Sequence, residues 1–229
     1  MELTLDNLKL FLTPHKTPYT KKRYGCNWDS GYIYLSELFD KSDIVYSYGL
    51  DGTEDAISFD IHAADLGKKI YMYDASINQT AVDRENFFFK KEFLNPYNFK
   101  THILENGHEN ETNMILKMDI EGAEYDIISS NIDLINKHFS QISIEFHDVI
   151  HLTKSKINVF LELNKFYKIF HIHGNNHDFI HQGIPNCLEL SFLRIDYPTL
   201  GFETEPYPVV GIDYPNAKDK RDFILDWWI

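Results

Sequence analysis

Cysteine is scarce in this chain, with Cys26 and Cys187 alone among 229 residues. A disulfide framework is not expected, and two reduced thiols in a cytoplasmic protein are expected ahead of a single bridge. Long apolar runs are also missing, and none approaches the ~18 residues of a membrane span. The opening Met1-Glu2-Leu3-Thr4-Leu5-Asp6 lacks the basic and apolar regions of a signal peptide, which again makes the cytoplasm the expected location. Basic charge is in deficit, at 22 Lys and Arg against 35 Asp and Glu, for a net charge of −13. A phosphate backbone needs a basic surface, so a nucleic-acid partner is not expected. No GxSxG, Walker A or HExxH motif occurs, which removes support for the corresponding hydrolases, phosphate-loop ATPases and metalloproteases. Repeats, low-complexity tracts and linkers are absent. Residues 1–229 therefore read as one domain, with a helix and binding loop over 1–35 and a tail over 196–229 that packs on the rest.

What is present suits a packed interior: 43% hydrophobic residues, with 17 Phe and 14 Tyr. Residues 3–12 read as a short amphipathic helix with Leu5, Leu8 and Leu12 on one face, ended by Pro14 and Pro18. His15, Lys16, Lys21, Lys22 and Arg23 gather positive charge without an intervening acid. They are either a solvated loop face or contacts for a small anionic group. Arg23 to Tyr32 is rich in turns and can form a binding wall or a tight hairpin around a core Trp28.

Asp43 to Gly49 reads as a strand meeting a glycine, 50–54 as a turn, and 56–66 as a helix. Ile70 to Asp74 is a second strand ending in an acid. That is the βαβ layout of a nucleotide-binding half-domain, with a glycine for close backbone approach and an acid for ribose hydroxyls. Glu85 to Leu94 reads as a helix or an aromatic strand, and His102 to Asn113 as an exposed connection. Met114 to Met118 is an apolar strand ending at Asp119, followed by a helix over 122–130. Gln141 to Asp148 is a further strand, 154–166 a helix, and 167–173 and 187–195 the last strands. The alternation predicts an α/β fold with a mainly parallel sheet covered on both faces, and a final strand pair free to be antiparallel.

Glu145 and His147 share a strand face at a carboxyl end. If their strand neighbours that of Asp119, the three converge at one rim. Two carboxylates and an imidazole suit Fe²⁺, Mn²⁺ or Mg²⁺, or equally a general base with hydrogen bonds to substrate hydroxyls, or a structural pairing. A non-haem iron oxygenase ranks low, because the βα alternation does not suit a jelly roll. A second histidine group, His171, His173, His177 and His181, surrounds Gly174-Asn175-Asn176. Of these, His173 and Asn175 are favoured over His177 as base and sugar contact. His62, His102, His108 and His138 read as surface residues.

Four segments together carry a resemblance: Val45-Tyr46-Ser47-Tyr48-Gly49, Lys69 to Asp74, Leu116-Lys117-Met118-Asp119-Ile120-Glu121-Gly122-Ala123-Glu124, and Ile144-Glu145-Phe146-His147. The chain resembles the FkbM-like S-adenosylmethionine-dependent methyltransferases over most of residues 23–195, and Asp29-Ser30-Gly31-Tyr32 is similar to the Asp-Gly-Gly-Tyr of one branch. Ser30 stands where glycine is usual, and Leu50-Asp51-Gly52-Thr53 departs from the common turn. The resemblance implies a Rossmann-like class I methyltransferase fold, typically with seven strands and one of them antiparallel. It also implies cofactor contacts at Tyr48, Gly49, Asp51, Asp74 and Asp119, with Asp119 beside the methyl-transfer site.

The expected function is O-methylation of a carbohydrate hydroxyl, on a nucleotide-linked sugar for a surface polysaccharide such as capsule or lipopolysaccharide. The expected catalytic residues are Asp119, His147 and His173, and the metal set is Asp119, Glu145 and His147. Lys22, Arg23, Asp29 and Asn175 are the substrate contacts. The alternatives are a non-catalytic sugar-nucleotide-binding module and an NAD-dependent sugar oxidoreductase. A homodimer is compatible with the sequence and not required by it.

Overall fold

The structure, a computed structural model, describes residues 4–229. Thr4 caps α1 (Leu5–Phe11) by accepting from Asn7 N at 3.2 Å, and the helix buries Leu8 and Leu12 as the apolar spacing requires. Residue 3 of the expected helix lies outside the described residues. Strands β1 (Lys21–Tyr24) and β2 (Tyr32–Leu35) form an antiparallel hairpin, and α2 (Ser36–Phe39) follows. Next come β3 (Ile44–Tyr48), α3 (Ser58–Asp65), β4 (Lys69–Tyr73), β5 (Phe87–Lys90), α4 (Phe99–Glu105) and β6 (Met114–Met118). The chain continues through α5 (Glu124–His138), β7 (Phe139–Phe146), α6 (Lys154–Phe166) and β8 (Tyr167–Gly174). A small hairpin, β9 (Ile180–His181) and β10 (Ile184–Pro185), precedes β11 (Leu188–Arg194).

Seven strands make one sheet in the order β5-β4-β3-β6-β7-β11-β8, and only β11 runs antiparallel to its neighbours. This is the Rossmann-like methyltransferase arrangement. Side chains alternate between the faces. Tyr46, Tyr48, Leu116 and Ile142 pack with Leu8, Phe99, Ile127 and Phe160, under the layer of α1, α4, α5 and α6. On the opposite face, Val45, Ile70 and Ile115 pack with Phe59 of α3 and with Tyr24 and Tyr34 of the β1–β2 hairpin. The hairpin occupies ground that a helix covers in a symmetrical doubly wound sheet.

Three sequence readings change. Residues 102–113 are not an exposed connection, because α4 runs to Glu105 and its His102 is fully buried. The His102 ring stacks on Tyr73 with centroids 4.0 Å apart, and its Nδ1 pairs with the Tyr48 hydroxyl at 3.2 Å. His108 is buried with Nδ1 2.9 Å from the Tyr46 hydroxyl, and buried His138 donates from Nδ1 to the Glu111 carbonyl at 2.6 Å. Burial lowers all three imidazoles, so they act as neutral polar partners for tyrosines and backbone, not as surface residues. His62 is half-buried and accepts from Gly25 N at 3.1 Å. Trp28 is not a hairpin core residue. It lies half-buried at the loop, with Lys218 Nζ 3.3 Å above its ring. The 85–94 segment resolves as strand β5.

Candidate functional site

The Asp119–Glu124 segment turns the chain from β6 into α5 within five residues. Two consecutive left-handed residues make the turn, Glu121 at φ 58° and Gly122 at φ 106°. The fully buried Glu124 carboxylate, on the first turn of α5, turns back into the loop before the helix. Its Oε1 accepts from Ile120 N and Gly122 N, each at 3.1 Å. The same oxygen lies 3.1 Å from His147 Nδ1 at the end of β7. Asp119 N donates to the Tyr48 carbonyl at 3.0 Å, holding the loop against β3. Gly49 follows at φ 78°, and a Cβ there would lie 1.4 Å from the Asp119 carbonyl oxygen. Glycine is required at 49 by the meeting of two backbones, whatever ligand also approaches.

A cavity of about 660 Å³ opens beyond the carboxyl ends of β3, β4, β5 and β6. It spans the point where the chain switches from building one side of the sheet to building the other, the common ligand position in open α/β sheets. Asp74, directly after β4, accepts from Leu50 N at 2.9 Å and from the Ser76 amide and hydroxyl at 2.6 Å. Its carboxylate is thus oriented at the cavity wall. Six acids line the space (Asp29, Asp51, Asp74, Glu92, Asp119 and Glu121), against one basic side chain, Lys117. Lys117 is itself occupied, donating to the Tyr48 carbonyl at 3.2 Å and to the Gly49 carbonyl. Phe93 and Leu94 add an apolar wall on the β5 side.

A second cavity of about 240 Å³ shares Asp29, Asp119 and Glu121 with the first and adds Glu145, His147, Asn175, His177, Asp178 and Cys187. With its Nδ1 engaged by Glu124, His147 turns Nε2 toward Glu121 (3.5 Å), Glu145 (3.8 Å) and Asp119 (3.9 Å). Burial disfavours the imidazolium, but the Glu124 hydrogen bond and the surrounding carboxylates outweigh it and raise His147 to about 9. Burial raises Asp119 against the opposing pull of Lys117 and His147. Burial, then the Asp119 and Glu189 charges, push Glu145 well above the usual carboxylate range. Glu145 Oε1 accepts from Asn175 Nδ2 and Cys187 Sγ, each at 2.8 Å. Burial and the Glu145 charge push the Cys187 thiol up, so it stays protonated and donates to Glu145.

Asp119, Glu145 and His147 therefore meet as the spacing suggests, because Met118 pairs with Ile144 across β6 and β7. As a ligand set the expected trio divides: the ligand atoms of Asp119, Glu121 and His147 lie within 4.8 Å of one another, whereas Glu145 groups with His147 and Cys187 and not with Asp119. The first group can share a hard cation, and Glu124 fixes the His147 nitrogen that faces it. Those residues fit Mn²⁺, Fe²⁺ or Mg²⁺.

Other expected site residues stand elsewhere. His173 is buried, with Nδ1 3.2 Å from Glu189 and Nε2 2.9 Å from Asp222, so neither nitrogen is open to take a substrate proton. The Tyr48 side chain lies in the core against His102, and only its carbonyl reaches the rim. Arg23 donates from Nε to the Cys26 carbonyl at 2.6 Å and from Nη2 to the Trp28 carbonyl, which shapes the 26–31 loop, and it lines neither cavity. Lys22 is exposed, 5.0 Å above the Tyr24 ring, and lines neither cavity. Ser30 adopts φ 66°, a left-handed turn that explains why glycine is usual there. Asp51, Asp29 and Asn175 do line the cavities. Lys117, Glu121, Glu92 and Phe93 were missed. The last two follow a strand that the sequence left undecided, and the rule that ligands sit beyond strand ends would have found them.

Residues 17–186 match the methyltransferase FkbM domain family. A search of curated proteins finds no match. Among solved structures, the fibrillarin pre-rRNA processing protein of Methanococcus jannaschii is similar at 12% identity and a TM-score of 0.44, over 68% of each chain. A putative hemolysin from Streptococcus thermophilus is similar at 9% identity and a TM-score of 0.42, over 74% of this chain and 73% of that one. The bifunctional kinase-methyltransferase WbdD is similar at 13% identity and a TM-score of 0.40, over 77% of this chain and 43% of that one. Likenesses at such identities concern the fold and nothing more.

Proposed function

The chain belongs to the FkbM-domain methyltransferase family, and we propose that it is an S-adenosylmethionine-dependent O-methyltransferase acting on a carbohydrate hydroxyl. One observation carries the reading: a large acidic cavity at the sheet's switch point meets a smaller polar cavity at Asp119. S-adenosylmethionine brings a sulfonium and an ammonium, and six lining carboxylates favour such a ligand. The pyrophosphate of a nicotinamide cofactor would meet the same acids with one occupied lysine, which disfavours the oxidoreductase alternative. With its ribose at Asp74, the cofactor's adenine would lie toward Phe93 and its methyl group toward Asp119.

Asn175, His177 and Asp178 give the smaller cavity the polar groups that a hydroxyl-rich acceptor needs. Its lining offers no Lys or Arg, so the diphosphate of a nucleotide-linked sugar, made for a surface polysaccharide, would lie outside it. The acceptor oxygen attacks the methyl carbon in line with the C–S bond. The C–O bond forms as the C–S bond breaks, and the electron pair of the latter stays on the sulfur of S-adenosylhomocysteine. Asp119, whose carboxylate burial makes more basic, receives the hydroxyl proton. His147 and Glu145 hold the acceptor's neighbouring hydroxyls. A divalent ion bound by Asp119, Glu121 and His147 would lower the hydroxyl's pKa. Alignment of acceptor and methyl supplies much of the acceleration.

Calorimetry with S-adenosylhomocysteine and NAD tests the cofactor. Binding of the first alone is expected, and binding of NAD alone overturns the proposal. Transfer of a labelled methyl group to a panel of free and nucleotide-linked sugars tests the acceptor, and labelling of none of them counts against a carbohydrate.

A further inference from the structure

The family match ends at residue 186, yet the segment 213–222 is wired into the site beyond it. Asp213 holds His171 Nε2 at 2.7 Å and Asp222 holds His173. The Asn176 side chain accepts from Ala217 N at 2.6 Å and donates to the carbonyls of Ala217, Lys220 and Arg221 at 3.2–3.3 Å. Between these anchors lies Asn216, 4% exposed. Its Nδ2 donates to Asp29 Oδ1 at 3.0 Å and to Glu189 Oε1 at 2.6 Å.

That amide stands where charges crowd. Carboxylate oxygens of Asp29, Glu145 and Glu189 lie within 4.8 Å of one another. Unscreened, they would drive Asp29 out toward solvent. The two N–H groups of Asn216 bind two of the three carboxylates and keep Asp29 in the wall common to both cavities. The Asp29 backbone is held as well, its carbonyl accepting from Cys26 Sγ at 2.6 Å.

We infer that Asn216 is a positioning residue that holds Asp29 to receive the ammonium of the cofactor's amino-acid end. The inference rests on the cofactor reading above. With the ribose at Asp74 and the methyl at the junction of the cavities, the amino-acid chain must lie over the ends of β3 and β6. Asp29 faces that stretch from the hairpin loop, and the carboxylate is the partner an ammonium needs. The region after the family domain thereby completes the cofactor site.

The test is calorimetry with two probes, S-adenosylhomocysteine and 5′-methylthioadenosine, which lacks the amino-acid end. Wild-type protein binds both, the first more tightly. Asn216→Ala and Asp29→Asn each weaken S-adenosylhomocysteine roughly tenfold or more, the scale of a hydrogen bond to a charged group, and leave methylthioadenosine unchanged. The double variant loses no more than the worse single one. Equal loss of both probes, no loss with Asn216→Ala, or additive losses overturn the inference. If Asn216→Ala does not fold, Asp29→Asn still reads the split between the probes, and an unsplit result overturns it. Wild-type protein that binds neither probe overturns the cofactor reading itself.

Discussion

The two halves of the sheet treat polar groups in opposite ways. In the half formed by β3, β4 and β5, the buried polar groups of the layer under α4 are neutral. Tyr46, Tyr48 and Tyr73 stack with one another and pair with the uncharged imidazoles of His102 and His108. The strands themselves carry acids only past their ends, at Asp51 and Asp74, while the buried Asp60 on the other face belongs to α3. In the half formed by β7, β11 and β8, ionisable groups enter the sheet itself. Glu145, Glu189 and His173 face one another in register across three strands, all nine-tenths buried or more. The contrast teaches that one half is a rigid floor and the other a charged wall whose members hold one another in place. Neither of the wall's two central histidines behaves like the other. His147 keeps one nitrogen toward a cavity, while His173 has both engaged.

The largest expected effect breaks the floor. Gly49→Ala drives a methyl group into the Asp119 carbonyl, and backbone on both sides prevents relief. Destabilisation above about 4 kcal/mol, read by denaturant unfolding, is the expected result. A stable, cofactor-binding alanine variant would show that the two backbones can part.

Next comes the wall. His173→Gln removes the cation between Glu189 and Asp222 and should cost about 3–5 kcal/mol, as for a broken buried ion pair. A cost below about 1 kcal/mol would mean that the acids simply protonate. Acidity provides a companion test. Burial opposes the His173 cation, but the hydrogen bonds to Asp222 and Glu189 outweigh it and raise the group to about 10, above its ordinary 6.5. A raised folded-state pKa means the folded protein binds the proton more tightly than the unfolded chain. The resulting stability is full below about pH 6.5 and is lost as pH rises toward about 10. Unfolding free energy should fall across that window in the wild type, and the fall should flatten in His173→Gln.

At the junction, Asp119→Asn should lower turnover by about 10²–10⁴, the range of a lost general base, while melting barely moves. A variant with wild-type turnover would remove Asp119 from the chemistry. His147→Gln should cost about 1–3 kcal/mol, because the buried Glu124 carboxylate loses its cationic partner. It should also weaken Mn²⁺ binding measured by calorimetry, and chelated wild-type enzyme should regain activity with Mn²⁺. Unchanged activity after thorough metal removal would leave the carboxylates to work without an ion.

Legibility in the sequence follows the same division. The strands β3, β4 and β6 with their terminal Gly49, Asp74 and Asp119 were readable because apolar runs and rim residues lie within a few positions of each other. The α6 helix was read to its ends because Thr153 caps it and its apolar spacing is regular. His102 was misread because a histidine amid polar neighbours looks exposed until Tyr73 is known to lie over its ring. That both His173 nitrogens are engaged escaped the sequence for a related reason. Strand alternation puts His173 on the correct face of the sheet, but says nothing of Asp222, 49 residues later, closing over it.

By itself the sequence determined the α/β alternation and the acids at the strand ends, because both are written in local patterns of apolar and polar residues, and four short motifs carried the resemblance to the family to which this chain belongs. Only the tertiary structure decided what those acids are. Strand register puts Glu145 beside Glu189, the buried Glu124 selects the His147 nitrogen that faces the cavity, and Asn216 anchors Asp29 from 187 residues away. A carboxylate's charge, direction and basicity depend on what surrounds it, and most of what surrounds these comes from distant parts of the chain.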